Sequence, residues 1–281
     1  MTEAARPIVA GVIGWPVHQS KSPIIHGHWL AACGIDGTYG RFPVRPGEAG
    51  LAIRAMVSLG IVGLQATMPH KRACYEAVDT LTDAARSLGA VNTVTLLHDG
   101  SLQGHNTDLA GFLEPLADVD ICGRVVTVFG AGGAAAAVLV GLAAKSPARI
   151  NVINRSAAGI EKLLLDVGDS LGSVRVETGG WEQAEAMIKD NALVVNASAL
   201  GMTGQPGLTV SLAPLPDDAL VYDIVTSPHE TELLKAASLR GLATRDGLGM
   251  LIGQAREAFA LFFGQEAPKD QETAIRRALI A

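Results

Sequence analysis

The stretch VVTVFGAGGAAAAV, residues 125–138, decides the fold of this chain. A run of Val and Phe stops at Gly130, and a pattern of small residues typical of a helix follows. This order predicts a strand, a glycine turn and a helix in the G-x-G-x-x-G/A arrangement that holds a dinucleotide pyrophosphate. Gly130 would make the tight turn, Gly132 would let backbone N–H groups approach the phosphates, and Ala135 would allow the helix to pack closely on the strand. The predicted pyrophosphate contacts are Gly130, Ala131, Gly132, Gly133 and Ala134.

The position of this turn indicates how the chain is divided. About 120 residues precede the turn, which is enough for a separate domain. Buried strand patterns alternate with helical patterns on both sides of it, so the sequence predicts an α/β protein with two domains. The first, residues 1–108 plus 241–281, is expected to be a substrate domain with a mixed, mostly parallel sheet, one edge of which is closed by a hairpin at Asp99-Gly100. The second, residues 109–240, is expected to be a Rossmann-like, doubly wound cofactor domain, and the C-terminal helix would return to the first domain.

The end of the second cofactor-domain strand predicts which dinucleotide binds. An NAD enzyme places Asp or Glu there to accept hydrogen bonds from the ribose 2′-OH. This chain has Asn154, Arg155 and Ser156 instead. A guanidinium pairs with a 2′-phosphate and can stack on adenine, and the serine can donate a further hydrogen bond. We therefore predict NADP, the alternative being that Arg155 is an ordinary surface residue of a βα loop.

Composition limits the other partners. The 281 residues are 48% hydrophobic and carry a net charge of −6, which does not favour nucleic acid or an anionic membrane surface. No apolar stretch approaches the roughly 20 residues that span a bilayer. The three cysteines are scattered, the first residues lack a signal-peptide pattern, and His26 and His28 have no third metal ligand nearby. We expect a cytoplasmic monomer or homodimer that binds a small molecule and no metal, nucleic acid or membrane.

Polar residues form four clusters where predicted strands end, which is where α/β sheets bind ligands. The clusters are QSKSP (19–23), QATMPHK (65–71), GAVNT (89–93) and GHNTD (104–108). Hydroxyls, amides and one Lys/Asp pair suit an uncharged, polyhydroxylated ring with one carboxylate, and the carboxylate could lie at the serine-rich helix start. Taken singly, each polar residue could be a helix cap or a turn residue.

These motifs give the chain a resemblance to the shikimate dehydrogenase family. The resemblance covers essentially the whole chain in order. Besides the glycine turn and Asn154-Arg155-Ser156, it includes GWPVHQSKSPIIH (14–26), GLQATMPHK (63–71), GAVNT (89–93), GHNTDLAG (104–111), NASALGM (196–202), VYDIV (221–225), TELL (231–234) and DGLGMLIGQA (246–255). The resemblance implies NADP-linked, reversible reduction of 3-dehydroshikimate to shikimate, in the pathway to chorismate and the aromatic amino acids.

The resemblance also implies roles for individual residues. Lys71 would be the general acid in reduction and the base in oxidation, and Asp108 would orient it and bond a ring hydroxyl. The implied substrate contacts are Ser20 and Ser22 for the carboxylate, Thr67, Asn92 and Gln254 for the hydroxyls, and the positions of Gln65 and Thr226. The implied further cofactor contacts are Ile224 and Gly247 on the nicotinamide side, and Asp83.

The chain departs from the family pattern at several of these positions. Gln65 stands where the family usually has Asn, Thr226 where it usually has Tyr, and Gln19 where it usually has His. The second basic residue of the phosphate site is replaced by Gly159, which leaves Lys162 as a possible substitute. A quinate/shikimate or aminoshikimate dehydrogenase paralogue therefore stays open as an alternative. A non-catalytic NADP-binding regulator on the same fold is a further alternative, although the Lys/Asp pair is intact.

Overall fold

The computed structural model describes residues 7–281, so the expectation drawn from the first six residues lies outside it. The chain forms two compact units. One contains the residues up to Thr107 together with Gln254–Ala281, and the other is Asp108–Gly253. The chain passes from the first unit to the second after Thr107, within one residue of the expected boundary. It passes back to the first unit at Gln254 and not at the expected residue 241. Residues 241–253 belong to the second unit because they include a strand of its sheet, Ala243–Arg245, before the helix that leads back.

The elements alternate between strand and helix along most of the chain. Up to Thr107 they are β1 (Ile8–Gly14), α1 (Ser22–Cys33), β2 (Gly37–Pro43), α2 (Ala49–Leu59), β3 (Ile61–Ala66), α3 (Lys71–Ala77), β4 (Thr80–Leu81), α4 (Asp83–Leu88), β5 (Thr93–Leu96) and β6 (Leu102–His105). The remainder are α5 (Asp108–Leu113), β7 (Val125–Phe129), α6 (Ala135–Ala144), β8 (Arg149–Ile153), α7 (Ala157–Val167), β9 (Arg175–Gly179), α8 (Ala184–Met187), β10 (Leu193–Asn196), β11 (Leu220–Asp223), α9 (Glu232–Leu239), β12 (Ala243–Arg245), α10 (Gly247–Phe263) and α11 (Glu272–Ile280).

The sheet of the first unit is mixed, in the order β2-β1-β3-β5-β6-β4. Strand β1 is parallel to β2 and β3, and the β5–β6 hairpin is antiparallel, as the Asp99-Gly100 turn predicts. The expectation that this hairpin closes the sheet was wrong, because β4 pairs with β6 and takes the edge. Asp79, just before β4, starts this pairing: its N–H donates to the Leu102 carbonyl, and its Oδ2 accepts from the Leu102 N–H at 2.8 Å.

The sheet of the second unit is entirely parallel, in the order β12-β11-β10-β7-β8-β9. Numbered within the unit, this is the order 6-5-4-1-2-3 of the doubly wound Rossmann fold, which confirms the prediction. Strands β7 to β9 are added toward one edge of the sheet, and β10 to β12 are added toward the other, so the strand order switches between β7 and β10. Ligands of such sheets bind at the carboxyl ends of the strands at this point, and the glycine turn follows β7 directly.

The long helix α10 returns to the first unit, as the sequence predicts. From Gln254 onward it belongs to that unit, where it packs aromatic side chains on β3 and α1. The ring of Phe262 lies so close to Gly63 of β3 that a Cβ atom there would be 2.0 Å from it. The Phe259 ring meets Trp29 of α1 with the ring centroids 5.5 Å apart. The helix therefore forms part of the core of the first unit.

His26 lies within this aromatic cluster. Its ring is fully buried and stacks on Tyr39 with the centroids 4.0 Å apart, and Trp29 lies edge-on to it at 5.8 Å. Neither ring nitrogen has a hydrogen-bond partner within the described residues. Because burial disfavours the charged form, it lowers the pKa of His26 from 6.5 to about 3.

This buried imidazole makes the stability of the protein sensitive to acid. In the unfolded chain His26 takes up a proton below pH 6.5, whereas in the folded state it does so only near pH 3, so stability is lost as the pH falls between these values. Between pH 7 and pH 4 this one group should lower the free energy of unfolding by about 3 kcal/mol. In His26→Phe that loss should disappear, which urea titrations at several pH values would measure. The exposed His98, replaced by Gln, is the control. Equal pH dependence of wild type and His26→Phe would contradict this account.

None of the helices in residues 7–281 has both the length and the apolar character needed to cross a bilayer. Over the same residues, no three His, Cys, Asp or Glu side chains are placed where they could share a metal ion.

Candidate active site

Strand register brings the polar clusters of the first unit to one edge of its sheet. The parallel strands β1 and β3 both end there, at Gly14 and Ala66. Gln65 near the end of β3 pairs with Thr93 at the start of β5, and Thr93 pairs with His105 at the end of β6. The four clusters begin or end within a few residues of these positions. The polar clusters were expected where strands end. Their residues that belong to the first unit, which are all except Asp108, do lie near this edge of the sheet.

Buried amide and hydroxyl groups form a hydrogen-bond network at this edge of the sheet. The Tyr39 hydroxyl donates to Gln65 Oε1, and Gln65 Nε2 donates to Gln254 Oε1, both at 2.6 Å. Asn92 Nδ2 donates to the Thr107 hydroxyl at 3.0 Å, and the Thr107 hydroxyl lies 3.5 Å from Gln254 Oε1. Three predicted substrate residues, Gln65, Asn92 and Gln254, are thus in one network. Tyr39 was not singled out in the sequence, because its hydrogen bond to Gln65 joins residues 26 positions apart on two different strands.

Lys71 lies at the same edge, as the first residue of α3. Its carbonyl accepts from the N–H of Val91 at 3.0 Å, which fixes its backbone next to Asn92. The Asn92 carbonyl in turn accepts from Ala66 N–H at 2.7 Å. Thr67 is held by a hydrogen bond from its N–H to the Ile13 carbonyl at 3.0 Å. The structure therefore collects Lys71, Thr67 and Asn92, which lie far apart in the sequence.

The two predicted carboxylate-binding serines also lie together. Ser20 Oγ is 3.3 Å from Ser22 Oγ and accepts from the Ser22 N–H at 3.4 Å. Ser22 is the first residue of α1, where the helix dipole favours an anion. Gln19, which departs from the family pattern, donates instead to the Pro16 carbonyl within its own loop at 3.2 Å. Two adjacent hydroxyls at a helix start suit a carboxylate.

The glycine turn of the second unit has the predicted shape. Gly130 has a φ of 107°, and a Cβ atom there would lie 2.7 Å from the Ser198 nitrogen, so only glycine fits. A Cβ on Gly132 or Gly133 would meet nothing within 4 Å, which leaves open space over the turn. Ala135 is fully buried at the start of α6, as its predicted packing role requires. Ala131 and Ala134 complete the turn with half-buried side chains. The turn can therefore receive a pyrophosphate.

A cavity of about 450 Å³ lies at the end of β8 in the second unit. The residues that line it include Asn154, Arg155, Glu161 and Glu182. Arg155 is exposed, so its guanidinium is available to a phosphate. Ser156 caps α7: its Oγ accepts from the Gly159 N–H at 3.2 Å, which leaves its O–H as a donor.

Lys162, the candidate substitute for a second basic residue, forms an ion pair with a carboxylate of its own helix. Its Nζ pairs with Asp166 at 2.8 Å one helical turn along α7, and it is not among the residues that line the cavity. Gly159, where the family has the basic residue, leaves little room: a Cβ there would be 3.0 Å from Asn154 Nδ2. Arg155 is the one basic side chain among the described residues that line this cavity.

The predicted nicotinamide-side residues are also neighbours. A Cβ on Gly247 would lie 2.4 Å from the Ile224 carbonyl oxygen, so the start of α10 rests directly on the segment after β11. Thr226, which replaces the family tyrosine, is half-buried in that segment. Asp223, a residue the sequence reading passed over, anchors it: its carboxylate accepts from Thr231 Oγ1 at 2.6 Å and from the Val225 N–H at 3.0 Å. Burial raises the pKa of Asp223. A carboxylate at the end of a strand was the available signal.

Two predicted residues lie outside these groups. Asp108 is the first residue of α5 and follows Thr107 directly, so it begins the second unit while Lys71 belongs to the first. Their pairing stays a prediction. Asp83 starts α4 in the first unit and pairs with Arg86 of the same helix at 3.1 Å on the surface. Its predicted place on the cofactor side also stays a prediction.

Taken together, these features define a class. A Rossmann sheet with an open glycine turn, in one chain with a second unit whose hydroxyls and amides converge with a lysine at one sheet edge, is typical of a dinucleotide-dependent α/β dehydrogenase. The family models agree in detail. Residues 12–94 match the shikimate dehydrogenase substrate binding domain, and residues 247–280 match the shikimate 5′-dehydrogenase C-terminal domain.

Full-length relatives give the family. A shikimate dehydrogenase (NADP(+)) of Sphingopyxis alaskensis is 46% identical over 273 residues, covering 97% of each chain. The shikimate 5-dehydrogenase of Listeria monocytogenes, solved in complex with shikimate and NAD, aligns with a TM-score of 0.88 at 30% identity, covering 99% of each chain. The quinate dehydrogenase of Corynebacterium glutamicum, in complex with NAD, aligns with a TM-score of 0.89 at 32% identity, covering 97% of this chain and 99% of its own. The protein belongs to the shikimate dehydrogenase family.

Proposed function

We propose that this protein is an NADP-dependent shikimate dehydrogenase that reversibly reduces 3-dehydroshikimate to shikimate. The observation that carries the proposal is the convergence of hydroxyls, amides and Lys71 at one sheet edge, in a chain that resembles NADP-dependent shikimate dehydrogenases from end to end. The edge belongs to the compact unit formed by the residues up to Thr107 and from Gln254 onward, which would be the substrate domain. Asp108–Gly253 would be the NADP domain.

The residues of the substrate unit divide the chemistry between them. When bound, NADPH supplies the hydride that reaches the carbonyl carbon. Lys71 Nζ gives a proton to the carbonyl oxygen, so that the ketone becomes an alcohol, and it takes that proton back in the reverse direction. Asp108 orients Lys71 and accepts a hydrogen bond from a neighbouring ring hydroxyl. Ser20 and Ser22 bind the carboxylate.

The remaining contacts fix the ring and the cofactor. Thr67, Asn92 and Gln254 bond ring hydroxyls, and Gln65 holds Gln254 through the 2.6 Å hydrogen bond between their amides. The proposed cofactor residues are Gly130–Ala134 at the pyrophosphate, Asn154, Arg155 and Ser156 at the 2′-phosphate, Ile224 and Gly247 at the nicotinamide, and Asp83. The open turn and the exposed arginine support NADP as the cofactor.

A second candidate is a quinate/shikimate or aminoshikimate dehydrogenase. Two observations favour keeping it: the similarity to a quinate dehydrogenase with a TM-score of 0.89, and Thr226 in place of the family tyrosine. A smaller side chain at that position removes a phenolic hydroxyl from the substrate side. The cofactor does not separate the candidates, because the shikimate 5-dehydrogenase of Listeria monocytogenes and the quinate dehydrogenase were both solved with NAD. Arg155 supports NADP for either candidate, so the relative rates with shikimate and quinate must decide between them. A non-catalytic NADP-binding regulator would need neither Lys71 nor a substrate.

The assay that tests the proposal follows absorbance at 340 nm. We expect NADP⁺ reduction with shikimate to exceed that with quinate, and NADP⁺ to be preferred over NAD⁺. Faster turnover of quinate would favour the second candidate and would point to Thr226. NADP⁺ binding without turnover of any of these compounds would contradict the proposal and favour the regulator.

We further propose a cytoplasmic monomer or homodimer. The cysteines Cys33, Cys74 and Cys122 are all unpaired, and Cys74 is buried, which fits a reducing compartment. Light scattering of the purified protein would distinguish the monomer from the homodimer.

A further inference from the structure

The loop that carries the two serines is held from both sides by cationic side chains that the proposed chemistry does not use. From the strand side, Arg41 of β2 reaches the Ser20 carbonyl with two donors, Nε at 2.9 Å and Nη2 at 2.6 Å. From the helix side, Lys21 Nζ donates to the Leu279 carbonyl in the last turn of α11 at 2.6 Å. All of these residues belong to the first unit.

Lys21 and Arg41 bind different backbone carbonyls and therefore act on different parts of the loop. Lys21 binds a carbonyl at the end of a helix, where the dipole attracts a positive charge, so it ties the loop to α11. Arg41 binds the carbonyl of Ser20 itself with a two-donor fork, which fixes the peptide from which the Ser20 hydroxyl projects. Within residues 7–281, the contacts of Arg41 are to this carbonyl and not to a carboxylate. Its positive charge is therefore left to act on an incoming anion.

The serine site itself consists of neutral groups. Ser20 Oγ and Ser22 Oγ lie 3.3 Å apart and can donate to a carboxylate, but they carry no charge. An anion that leaves water for such a site gains from a positive charge one peptide away. We infer that Arg41 is a positioning and specificity residue: it fixes Ser20 and supplies the charge that makes this subsite prefer a carboxylate over a neutral group. This inference rests on the proposed function, since it takes the serines as the substrate carboxylate site.

Two variants separate the effect of the Arg41 charge from the effect of its hydrogen bonds to the Ser20 carbonyl. Arg41→Gln keeps a donor that can reach a carbonyl but removes the charge, and Arg41→Lys keeps the charge with a single point of contact. The matched control is Arg54→Gln. Arg54 is also an exposed arginine of the first unit that donates to a backbone carbonyl, that of Ala77, but it lies on α2. It differs from Arg41 in that it also pairs with the Asp79 carboxylate at 2.7 Å. A cooperative thermal unfolding transition would establish that each variant is folded.

The experiment compares shikimate with its methyl ester as substrates for NADP⁺ reduction. In Arg41→Gln we expect the KM for shikimate to rise roughly tenfold, the effect of removing a positive charge near the bound anion, with kcat unchanged. The KM for the ester should rise much less, Arg41→Lys should recover part of the loss, and Arg54→Gln should behave as wild type.

Each other outcome decides against the inference. An equal rise in KM for the acid and the ester would show that Arg41 only braces the loop. An unchanged KM would show that Arg41 has no role in binding. Wild-type protein that fails to oxidise shikimate would overturn the proposed function, and with it this inference, whereas active wild type with an unresponsive Arg41→Gln would overturn the inference alone.

Discussion

Replacing Lys71 with methionine should lower kcat for shikimate oxidation by about 10³-fold, within the range of 10²- to 10⁴-fold for removal of a general acid–base group. Methionine keeps much of the length and the apolar stem of lysine but cannot accept the hydroxyl proton. Lys71 is half-buried at the start of α3, next to Asn92, so the substitution should leave the fold of this edge in place. The measurement is kcat and KM in both directions, together with the Kd of NADP⁺.

The neighbouring cation provides the matched control. Arg72 follows Lys71 in α3, is exposed and pairs with Glu76 one turn later at 2.8 Å. Arg72→Met should therefore retain most of the activity, because an exposed ion pair of this kind contributes little. A Lys71→Met protein with near wild-type kcat would rule out Lys71 as the acid–base group. A loss of activity accompanied by loss of NADP⁺ binding would show damage to the fold instead.

The features that the sequence predicted well are those with local causes. A glycine at φ 107° between a strand and a helix leaves a pattern in consecutive residues, and so does a hairpin turned at Asp99-Gly100. The alternation of strands and helices then restricts the second unit to a parallel sheet, which is why its doubly wound fold could be predicted. The polar residues of the first unit could be expected near strand ends, because that is where α/β sheets bind ligands.

The features that were missed depend on distant residues. Strand β4 has two residues, Thr80 and Leu81, too few to show a periodicity. The return to the first unit lies inside one continuous helix, between Gly253 and Gln254, where no break in the sequence marks it. The hydrogen bond from Gln65 to Gln254 joins residues 189 positions apart, so no local pattern could reveal it.

The same network gives a physical reading of the Asn-to-Gln departure. Gln65 is buried and bonded on both sides: its oxygen accepts from Tyr39 and its nitrogen donates to Gln254. The extra methylene of glutamine lets it span these two partners. In this chain the position therefore helps to hold Gln254 in place, and a change of residue here is expected to act on the substrate through Gln254.

Replacing Arg155 with glutamine should raise the KM for NADP⁺ by about 10- to 100-fold, because a hydrogen bond to a charged group contributes roughly 1.5–3 kcal/mol. The KM for NAD⁺ should stay nearly unchanged, since NAD⁺ has no 2′-phosphate to lose this contact. Without Arg155 the charged side chains left in the cavity wall are Glu161 and Glu182, which would repel the phosphate. Steady-state kinetics with both cofactors at saturating shikimate measures the change in preference.

The control for this prediction is Lys162→Met on the adjacent helix. Lys162 lies on α7 close to the cavity in sequence but is paired with Asp166 and does not line it. We therefore expect its removal to leave the NADP⁺ preference intact, which would show that nearby positive charge alone does not select the cofactor. If Lys162→Met weakened NADP⁺ as much as Arg155→Gln, recognition would be a diffuse effect of charge. If Arg155→Gln raised the KM of both cofactors equally, Arg155 would bind the adenosine they share and not the 2′-phosphate.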